Sequence, residues 1–430
     1  MSAAPTKLLF ATRTSPFAGD SGSGTYVFDL LRHLTENGFK IHVIWTEPPD
    51  LIPSRGWYTP PEESHAVFCL NIMGMVKVGE RFLRPDVVWL PFKAKVSHAV
   101  KTVLRKIGLW RERPANVSAA PASSLVPATP TAWGGECTST EVSAIHKAIL
   151  CFQPDVVLAN YAWMAPASNM PGELRRPCAV LTHDVRHRQL HLREGQLTEI
   201  LGEHMSVETE LASLQFADAL IAIQQTEAKV FSRLLPGKQV ITAPMPVRPR
   251  PLPLPAKPAV LFIGSQHGPN VAGLNWFIEK VWPLIIGEVA SAKLLVAGSV
   301  CRAFSEPQPA GVEILGRLPD LATAYARASV VVAPILQGSG IKIKILEAAS
   351  YGRPCVTTSV GVEGLEALQP ALRVADTPAA FASETVRLLQ TQNAASASEQ
   401  ILALARAHLS AGACYDPVVN LLHGLARSSP

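Results

Sequence analysis

Two lysines at the start of a short helical segment offer the most specific chemistry in this chain. The region from Gly338 to Thr358 is predicted to form a glycine-rich turn, a helix, a second turn and a strand. The first turn contains Gly338 and Gly340, which are followed by Lys342 and Lys344. Cations are unfavourable at a helix N-terminus, because the N–H groups there already carry partial positive charge. An anion at this end removes the conflict, since the glycines let it approach while the N–H groups and lysines neutralise it. The pattern therefore predicts an anion-binding turn.

The flanking residues indicate which elements position this turn. Residues 330–333 form an apolar, β-branched run that is typical of a buried parallel strand. Ile345 and Ala348 share one face of the following helix and are predicted to pack on a sheet. Side chains two positions apart in a regular helix point in directions that differ by roughly 200°. At least one of the two lysines must therefore reach the anion from the turn itself. Arg353, in the Gly-Arg-Pro sequence after the helix, is predicted to be a solvated turn residue.

Length and composition limit the class of protein. The chain has 430 residues, which favours two domains, and no apolar run approaches the ~20 residues of a membrane-spanning helix. The N-terminus enters a strand directly, so no signal peptide is predicted. Seven cysteines are scattered without metal-ligand spacing, which favours a reduced, cytoplasmic compartment and no zinc site. The net charge of +5 is compatible with an anionic substrate or lipid surface and does not by itself indicate nucleic acid binding.

Strands and helices alternate along the chain. Residues 7–11 form a predicted strand, a helix follows from about 25 to 36 and ends at Asn37-Gly38, and the next strand is 41–45. This alternation is typical of a parallel sheet. Further predicted strands are 87–90, 156–159, 179–182, 219–222 and 240–242.

We predict an α/β fold with two doubly wound, Rossmann-like domains that face each other across a cleft. The first domain comprises residues 1–246 and contains a low-complexity insertion rich in Ala, Ser, Pro and Thr at about 111–136. A Pro-rich linker, 247–258, leads into the second domain at 259–400. Residues 401–430 are predicted to form a helical tail.

The segment around the lysines resembles the donor-site motif of the family 4 glycosyltransferases, also called glycosyl transferases group 1, which share the two-domain GT-B fold. The family pattern of a Gly-rich turn, basic residues, Leu-Glu-Ala and Gly-x-Pro is met by Gly338, Gly340, Lys342, Lys344, Leu346-Glu347-Ala348 and Gly352-Arg353-Pro354. The resemblance is strongest over 259–365 and weaker over 6–45 and 150–245. Many members have two glutamates separated by seven residues. Here Glu347 is the second, but Ser339 holds the first position, which departs from the usual contact with the donor sugar.

The resemblance implies a glycosyltransferase that moves a sugar from a nucleotide diphosphate-sugar to a glycan, a lipid-linked sugar or another hydroxyl acceptor, with retention of the anomeric configuration. A metal ion commonly stabilises a diphosphate leaving group. Two lysines and a helix end can perform this task, and no Asp-x-Asp pair is suitably placed, so we expect no metal or other cofactor. The candidate catalytic residues are His183, Lys342 and Lys344. The candidate nucleotide-sugar-binding residues are Gly22, Ser23, Gly24, Gly264, Ser339, Gly340 and Glu347.

Several of these residues have a plainer interpretation. Glu347 either accepts hydrogen bonds from the ribose hydroxyls, as the resemblance implies, or forms a helix ion pair with Lys344. His183 follows a predicted strand at its carboxyl end, where ligands gather in such sheets, and the resemblance implies contact with the donor sugar or leaving phosphate. Alternatively His183 is a capping or surface histidine. The glycines Gly22 and Gly24 either approach the diphosphate, as the resemblance implies, or form a flexible turn before the first helix.

Two further alternatives concern partners and activity. Residues 93–113 interleave basic and apolar side chains, so they form either an interfacial helix at an anionic membrane surface or a surface helix that packs on its own domain. Cytoplasmic location with peripheral membrane contact is therefore one possibility. A nucleotide-sugar epimerase of the same fold and a non-catalytic nucleotide-sugar-binding subunit are alternatives to the transferase, because one fold supports many activities.

Overall fold

A computed structural model describes residues 4–18, 22–46, 57–84, 136–188, 206–266, 268–303, 309–337 and 342–428. The predicted strand at 87–90, the basic segment 93–113 and nearly all of the insertion at 111–136 lie outside these residues. Ser339 and Gly340 also lie outside them.

The strands alternate with helices along most of the chain. The strands are β1 (Thr6–Thr12), β2 (Phe39–Trp45), β3 (Trp57–Tyr58), β4 (Cys69–Ile72), β5 (Val76–Val78), β6 (Arg81–Leu83), β7 (Val156–Asn160), β8 (Cys178–Leu181), β9 (Ala219–Ala222), β10 (Gln239–Thr242), β11 (Ala259–Ile263), β12 (Lys293–Ala297), β13 (Val312–Gly316), β14 (Val330–Ala333), β15 (Cys355–Thr357) and β16 (Arg373–Val374).

The α-helices are α1 (Gly22–Glu36), α2 (Ser139–Phe152), α3 (Val207–Leu214), α4 (Gln225–Leu234), α5 (Gly268–Trp276), α6 (Trp282–Glu288), α7 (Ala322–Arg327), α8 (Ile343–Ser350), α9 (Ser359–Val362), α10 (Pro378–Leu389), α11 (Thr391–His408) and α12 (Ala411–Arg427). A π-helical turn at Phe277–Val281 joins α5 to α6. Short 3-10 helices are Glu62–Ala66, Ala162–Ser168, Gly172–Leu174, Arg186–Arg188, Ser299–Ala303 and Gln369–Ala371.

The first large sheet has the strand order β10-β9-β8-β7-β1-β2-β4. The interior strand β1 pairs in parallel with β2 on one side and with the central strand, β7, on the other. The apolar run at 8–11 is fully buried, which explains why this segment lies in the middle of a sheet covered on both faces. Predicted strands at 7–11, 41–45, 156–159, 179–182, 219–222 and 240–242 are all confirmed as β1, β2, β7, β8, β9 and β10.

The second large sheet has the order β13-β12-β11-β14-β15-β16, and its paired strands are all parallel. From β11 the chain builds outward through β12 and β13, then returns to add β14 on the opposite side of β11. The carboxyl ends of β11 and β14 therefore flank a topological switch point, where ligands bind in open α/β sheets. A buried cluster that includes Phe262, Phe277, Trp282 and Phe381 forms the core against this sheet.

By compactness the chain separates into two units. Of the described residues, the first unit contains 4–181, 206–218 and 422–428, and the second contains 182–188 and 219–421. The predicted domain boundaries stay predictions. In the first unit, a small antiparallel sheet with the order β3-β6-β5 was not predicted from the sequence.

The Pro-rich segment 247–258 packs against the end of α8 in the second unit. Arg250 N–H donates to Ser350 O at 2.7 Å, and Leu252 N–H donates to Tyr351 O at 3.2 Å. The guanidinium of Arg250 also lies over the ring of Tyr351, 4.3 Å from its centroid. These contacts fix the first half of the segment to the helix that carries the two lysines.

Candidate functional site

The two lysines occupy different positions at the N-terminus of α8. Lys342 is the N-cap residue, with φ −85° and ψ 70°, and its side chain makes no cap hydrogen bond. Lys344 is the second residue of the helix. One lysine thus projects from the turn and the other from the first helical turn, as their spacing requires. Ile345 and Ala348 are fully buried, so the predicted apolar face of this helix packs inward.

The end of α8 depends on Gly352, which has φ +65°. A Cβ at this position would also lie 2.9 Å from Leu402 Cδ1. Glycine meets both constraints because it tolerates the left-handed region and leaves room for α11. The turn sends the chain directly into β15, which holds α8 against the sheet.

Lys344 is held by a neutral side chain. Its Nζ donates a hydrogen bond to Asn270 Oδ1 at 2.7 Å and lies 4.8 Å from the centroid of the Phe262 ring. Burial lowers the pKa of Lys344 to about 8, and the electrostatic effects of the Cys355 thiol and the Glu347 carboxylate oppose this shift only in part. Among the residues that the structure describes, Lys344 forms no ion pair. The amine is therefore a half-buried cation that a ligand phosphate would stabilise.

Asn270 comes from the first turn of α5, just beyond the carboxyl end of β11. Its Nδ2 donates to Ser265 O at 3.2 Å and to Ser265 Oγ at 3.1 Å. Gly264 makes this arrangement possible, because a Cβ there would lie 3.3 Å from both Asn270 Cβ and Cγ. Gly264 is thus brought together with Lys344 through Asn270, a residue that was not among the predicted site residues.

Lys342 lies in a more acidic environment than Lys344. It is 7% exposed, and burial lowers its pKa, opposed first by the negative charge of Glu363 and then by those of Asp184 and Glu227. The two lysines therefore differ in charge compensation: the charges of three carboxylates act on Lys342, whereas a neutral amide accepts the hydrogen bond of Lys344.

Glu347 lies on the next turn of α8. Tyr325 Oη donates to Glu347 Oε2 at 3.4 Å, and the Tyr325 ring stacks on Tyr351 with centroids 4.4 Å apart. Burial raises the pKa of Glu347, against the opposing effects of Tyr325, Arg250 and Lys344. Within the described residues, Glu347 forms no ion pair with Lys344, so the helix ion pair is not the arrangement found here. Its ribose contact stays a prediction.

Arg353 is not the solvated turn residue that the sequence indicated. Its side chain is fully buried, and its guanidinium donates to three backbone carbonyls: Nε to Tyr325 O, Nη1 to Leu252 O and Nη2 to Pro253 O, at 2.8, 2.9 and 2.8 Å. Burial lowers its pKa to about 10. The Pro-rich segment covers this turn, which explains why a residue in a Gly-Arg-Pro sequence is excluded from solvent.

His183 lies two positions after the end of β8 and adopts a left-handed backbone conformation with φ +55°. It is 3% exposed, so the surface-histidine alternative is wrong. Burial lowers the pKa of His183 to about 3, which leaves the imidazole neutral at physiological pH. A left-handed, non-glycine residue that is also buried is strained, and such strain concentrates at functional positions. The catalytic role of His183 stays a prediction.

Gly22, Ser23 and Gly24 lie in the first turn of α1 and not in a preceding loop. The prediction that the helix starts near Thr25 was wrong by three residues, because Gly22 already has helical backbone geometry. Gly24 is buried at the start of this helix. These residues belong to the first unit, and their proposed approach to a diphosphate stays a prediction.

A second polar cluster, missed from the sequence, lies at the switch point of the first sheet. Asn160 Nδ2, at the end of β7, donates to the hydroxyls of Thr12 and Thr14 at 3.0 Å each. Beside it, Arg13 Nε donates to Glu141 Oε1 at 2.7 Å in a fully buried ion pair. The sequence feature that could have indicated this cluster is the presence of polar residues at the carboxyl ends of the buried strands β1 and β7. The cluster fixes the end of β1 to the start of α2.

Residues 257–391 match the family model described as Glycosyl transferases group 1. This segment is therefore similar to the group 1 glycosyltransferase domains. The domain contains Lys342, Lys344, Glu347 and Asn270, together with both strands of the switch point, although the match covers less than half of the chain. The match does not distinguish family 4, and it says nothing of retention of the anomeric configuration. Both stay predictions.

One curated relative matches a part of this chain. The "Uncharacterized 44.6 kDa protein in cps region" of Klebsiella pneumoniae is 34% identical over 116 residues. The alignment covers 24% of this chain and only 30% of the relative.

Solved structures resemble nearly the whole chain. Sucrose-phosphate synthase from Thermosynechococcus elongatus superposes with a TM-score of 0.62 at 15% identity, over 98% of this chain and 100% of that one. A TarM variant from S. aureus, in complex with fondaparinux, α-GlcNAc-glycerol and UDP, gives 0.62 at 9% identity over 97% and 99%. Anabaena HepE in complex with UDP and glucose gives 0.54 at 14% identity over 97% and 100%. At these identities the likeness establishes the fold: mixed α/β, with parallel sheets in two Rossmann-like domains of the GT-B type.

Among the described residues, no helix has both the length and the apolarity to cross a bilayer. The proposed membrane-contacting segment, 93–113, is outside the described part of the chain.

Proposed function

We propose that this protein transfers a sugar from a nucleoside diphosphate-sugar to a hydroxyl acceptor, with the N-terminus of α8 holding the diphosphate. The observation that carries the proposal is the half-buried ammonium of Lys344. It lies beside the switch point of the second sheet, inside the group 1 domain, and a neutral amide holds it. A buried cation without a compensating carboxylate is costly unless an anion binds.

The proposed chemistry concerns the leaving group. The bond between the anomeric carbon and the diphosphate oxygen breaks, and the acceptor hydroxyl oxygen bonds to that carbon as its proton leaves. Negative charge builds on the departing diphosphate, and Lys342, Lys344 and the N–H groups of α8 are placed to stabilise it. Preorganised positive groups of this kind commonly contribute ~3–4 kcal/mol to transition-state stabilisation. We therefore propose that no metal ion is needed.

Two other residues have proposed roles toward the donor. Glu347, held by Tyr325, would accept hydrogen bonds from the ribose hydroxyls, and a carboxylate is well suited to accept two of them. His183 would act as a hydrogen-bonding group and not as a cation, because its lowered pKa of about 3 keeps the imidazole neutral. Retention of the anomeric configuration is proposed from the family resemblance.

The donor and acceptor classes are supported by what related folds bind. The structures of TarM and HepE were solved with UDP, and HepE also with glucose, which supports a nucleoside diphosphate-sugar donor. The TarM complex contains α-GlcNAc-glycerol, which supports a sugar hydroxyl or a related hydroxyl as acceptor. A glycan or a lipid-linked sugar is the acceptor that we propose.

A two-stage experiment tests the function. A thermal-shift screen of UDP, GDP, ADP, CDP and dTDP identifies the base, because a ligand of the folded state raises the melting temperature by mass action. The matching nucleotide-sugars are then incubated with sugar acceptors, with and without EDTA, and released nucleoside diphosphate and product configuration are measured. Acceptor-dependent release that survives EDTA supports the proposal. Turnover of the nucleotide-sugar without acceptor would indicate an epimerase, and tight binding without any turnover would indicate a non-catalytic subunit.

A further inference from the structure

We infer that Asn270 is a positioning residue that holds the Lys344 amine in place without neutralising its charge, so that the charge is available to the diphosphate. The inference rests on the proposed function. Asn270 itself need not touch the donor. Its effect is exerted through the 2.7 Å hydrogen bond from Lys344 Nζ to Asn270 Oδ1.

The orientation of the Asn270 amide follows from its other partners. Its nitrogen lies 3.2 Å from the backbone oxygen of Ser265, and a carbonyl oxygen can only accept a hydrogen bond. The amide nitrogen must therefore face Ser265, which turns Oδ1 toward Lys344. The Lys344 ammonium can only donate, so it requires the amide oxygen on its own side, and Ser265 Oγ, 3.1 Å from the amide nitrogen, accepts a further hydrogen bond in this orientation. The side chain is thus a fixed acceptor and not one that flips between two roles.

The position of this pair joins the two strands of the switch point. Asn270 follows β11 and Lys344 follows β14, and these two strands are neighbours in the sheet. Gly264, at the carboxyl end of β11, leaves the space in which the amide lies. The hydrogen bond therefore fixes the Lys344 amine relative to the loop after β11, on the side of the sheet where ligands are expected.

A neutral acceptor matters because of what else surrounds Lys344. The Phe262 ring from β11 lies beneath the amine, the Cys355 thiol of β15 is near it, and Glu347 is the acidic group of α8 that influences it. Burial raises the pKa of the Cys355 thiol to about 12, so that thiol carries no charge at neutral pH. A carboxylate at position 270 would form a partly buried ion pair with Lys344 and cancel the charge that the phosphate needs.

The substitution Asn270→Asp tests this inference, because it is nearly isosteric and changes the acceptor from neutral to charged. We expect the affinity for the nucleoside diphosphate selected by the screen to fall about tenfold at pH 7.5. We also expect proton uptake on binding at pH 8, measured by calorimetry in two buffers with different ionisation enthalpies, to disappear. The reason is that the aspartate already keeps Lys344 protonated before the ligand binds.

Two further variants separate positioning from a general structural role. Ser265→Ala removes one partner of the amide nitrogen but keeps the neutral acceptor, so its affinity and proton uptake should remain close to wild type. Asn270→Ala removes the acceptor without adding charge. We expect it to bind severalfold more weakly while retaining proton uptake. If Asn270→Asp and Asn270→Ala fall equally in affinity and both retain wild-type proton uptake, Asn270 has only a structural role.

The outcome also distinguishes failure of this inference from failure of the proposed function. If the wild-type protein binds none of the nucleoside diphosphates, the proposed function is wrong. If wild type binds one of them and Lys344→Met abolishes that binding, but Asn270→Asp binds as tightly as wild type, only the positioning role of Asn270 is wrong. Should the aspartate variant fail to fold, Asn270→Ala still tests the inference, because wild-type affinity in that variant would contradict it.

Discussion

Replacing Lys344 by methionine should stabilise the ligand-free protein while removing its affinity for a nucleoside diphosphate. Methionine preserves most of the aliphatic length that packs beside Phe262, but it removes the ammonium that burial disfavours. A side chain that serves only the fold should not behave in this way. A gain in stability coupled to a loss of binding is the expected signature of a functional charge that is held at a cost to stability.

The magnitude follows from the lowered pKa of Lys344. Burial moves it from the ordinary value of 10.5 to about 8, and each pKa unit corresponds to about 1.4 kcal/mol, so the charged side chain costs on the order of 3 kcal/mol. The variant also loses the hydrogen bond to Asn270, and this loss lowers the free energy of unfolding by about 1–2 kcal/mol. Asn270 is only partly buried, so its oxygen can be hydrated instead. We therefore expect a net gain of about 1–2 kcal/mol in the free energy of unfolding at pH 7.

The sign of the pH dependence is also determined. The folded state binds the lysine proton less tightly than the unfolded state, so the cost of burying the ammonium is complete below pH 8. This cost decreases as the pH rises from about 8 toward 10.5, and wild-type stability gains the difference. The decrease exceeds the net gain of about 1–2 kcal/mol, so the advantage of Lys344→Met should be largest at pH 7 and lost by pH 10.

The assay is urea unfolding of the two proteins at pH 7 and pH 10 without ligand. Lys280→Met, which replaces an exposed lysine in the same unit, is the control and should change the unfolding free energy by less than about 0.5 kcal/mol. A Lys344→Met protein that is less stable than wild type at pH 7 would refute the reasoning, because the contacts of the amine would then outweigh the cost of its burial.

Three further predictions concern neighbouring groups. Arg353→Met should lower the free energy of unfolding in urea by about 3–5 kcal/mol, because it leaves buried carbonyls without their charged donor, whereas the exposed Arg327→Met should cost under about 1 kcal/mol. Binding of the nucleoside diphosphate at pH 8 should take up protons, since the phosphate raises the lowered pKa of Lys344. Calorimetric heats that are independent of the buffer would contradict this. Glu347→Gln should weaken nucleoside diphosphate binding by about 1–2 kcal/mol and leave inorganic pyrophosphate binding unchanged, and an equal loss for both ligands would exclude the ribose contact.

Much of the fold could be predicted because buried parallel strands have a strong local signature. The apolar runs at 8–11, 219–222 and 330–333 are fully buried in the structure, and each is a short run of four apolar residues. The small antiparallel sheet escaped prediction for the opposite reason. Its strands β3, β5 and β6 have two or three residues each, too few to establish an alternating pattern.

The candidate site was predictable only where its chemistry lies within one segment. Lys342 and Lys344 are marked by a glycine-rich turn and a helix that follow one another in the chain. No local sequence pattern identifies Asn270, because its partner Lys344 is 74 residues away and only the fold brings the two together. Arg353 was misjudged for the same reason, since the carbonyls that surround it include two from residues about 100 positions earlier.

The two lysines of α8 are the site that we propose to hold a diphosphate. The most direct test is calorimetric titration of wild type and of Lys342→Met/Lys344→Met with the nucleoside diphosphate and its monophosphate. Wild type should prefer the diphosphate at least tenfold, and the double variant should bind the two nucleotides almost equally. A double variant that keeps the full preference would contradict the central claim.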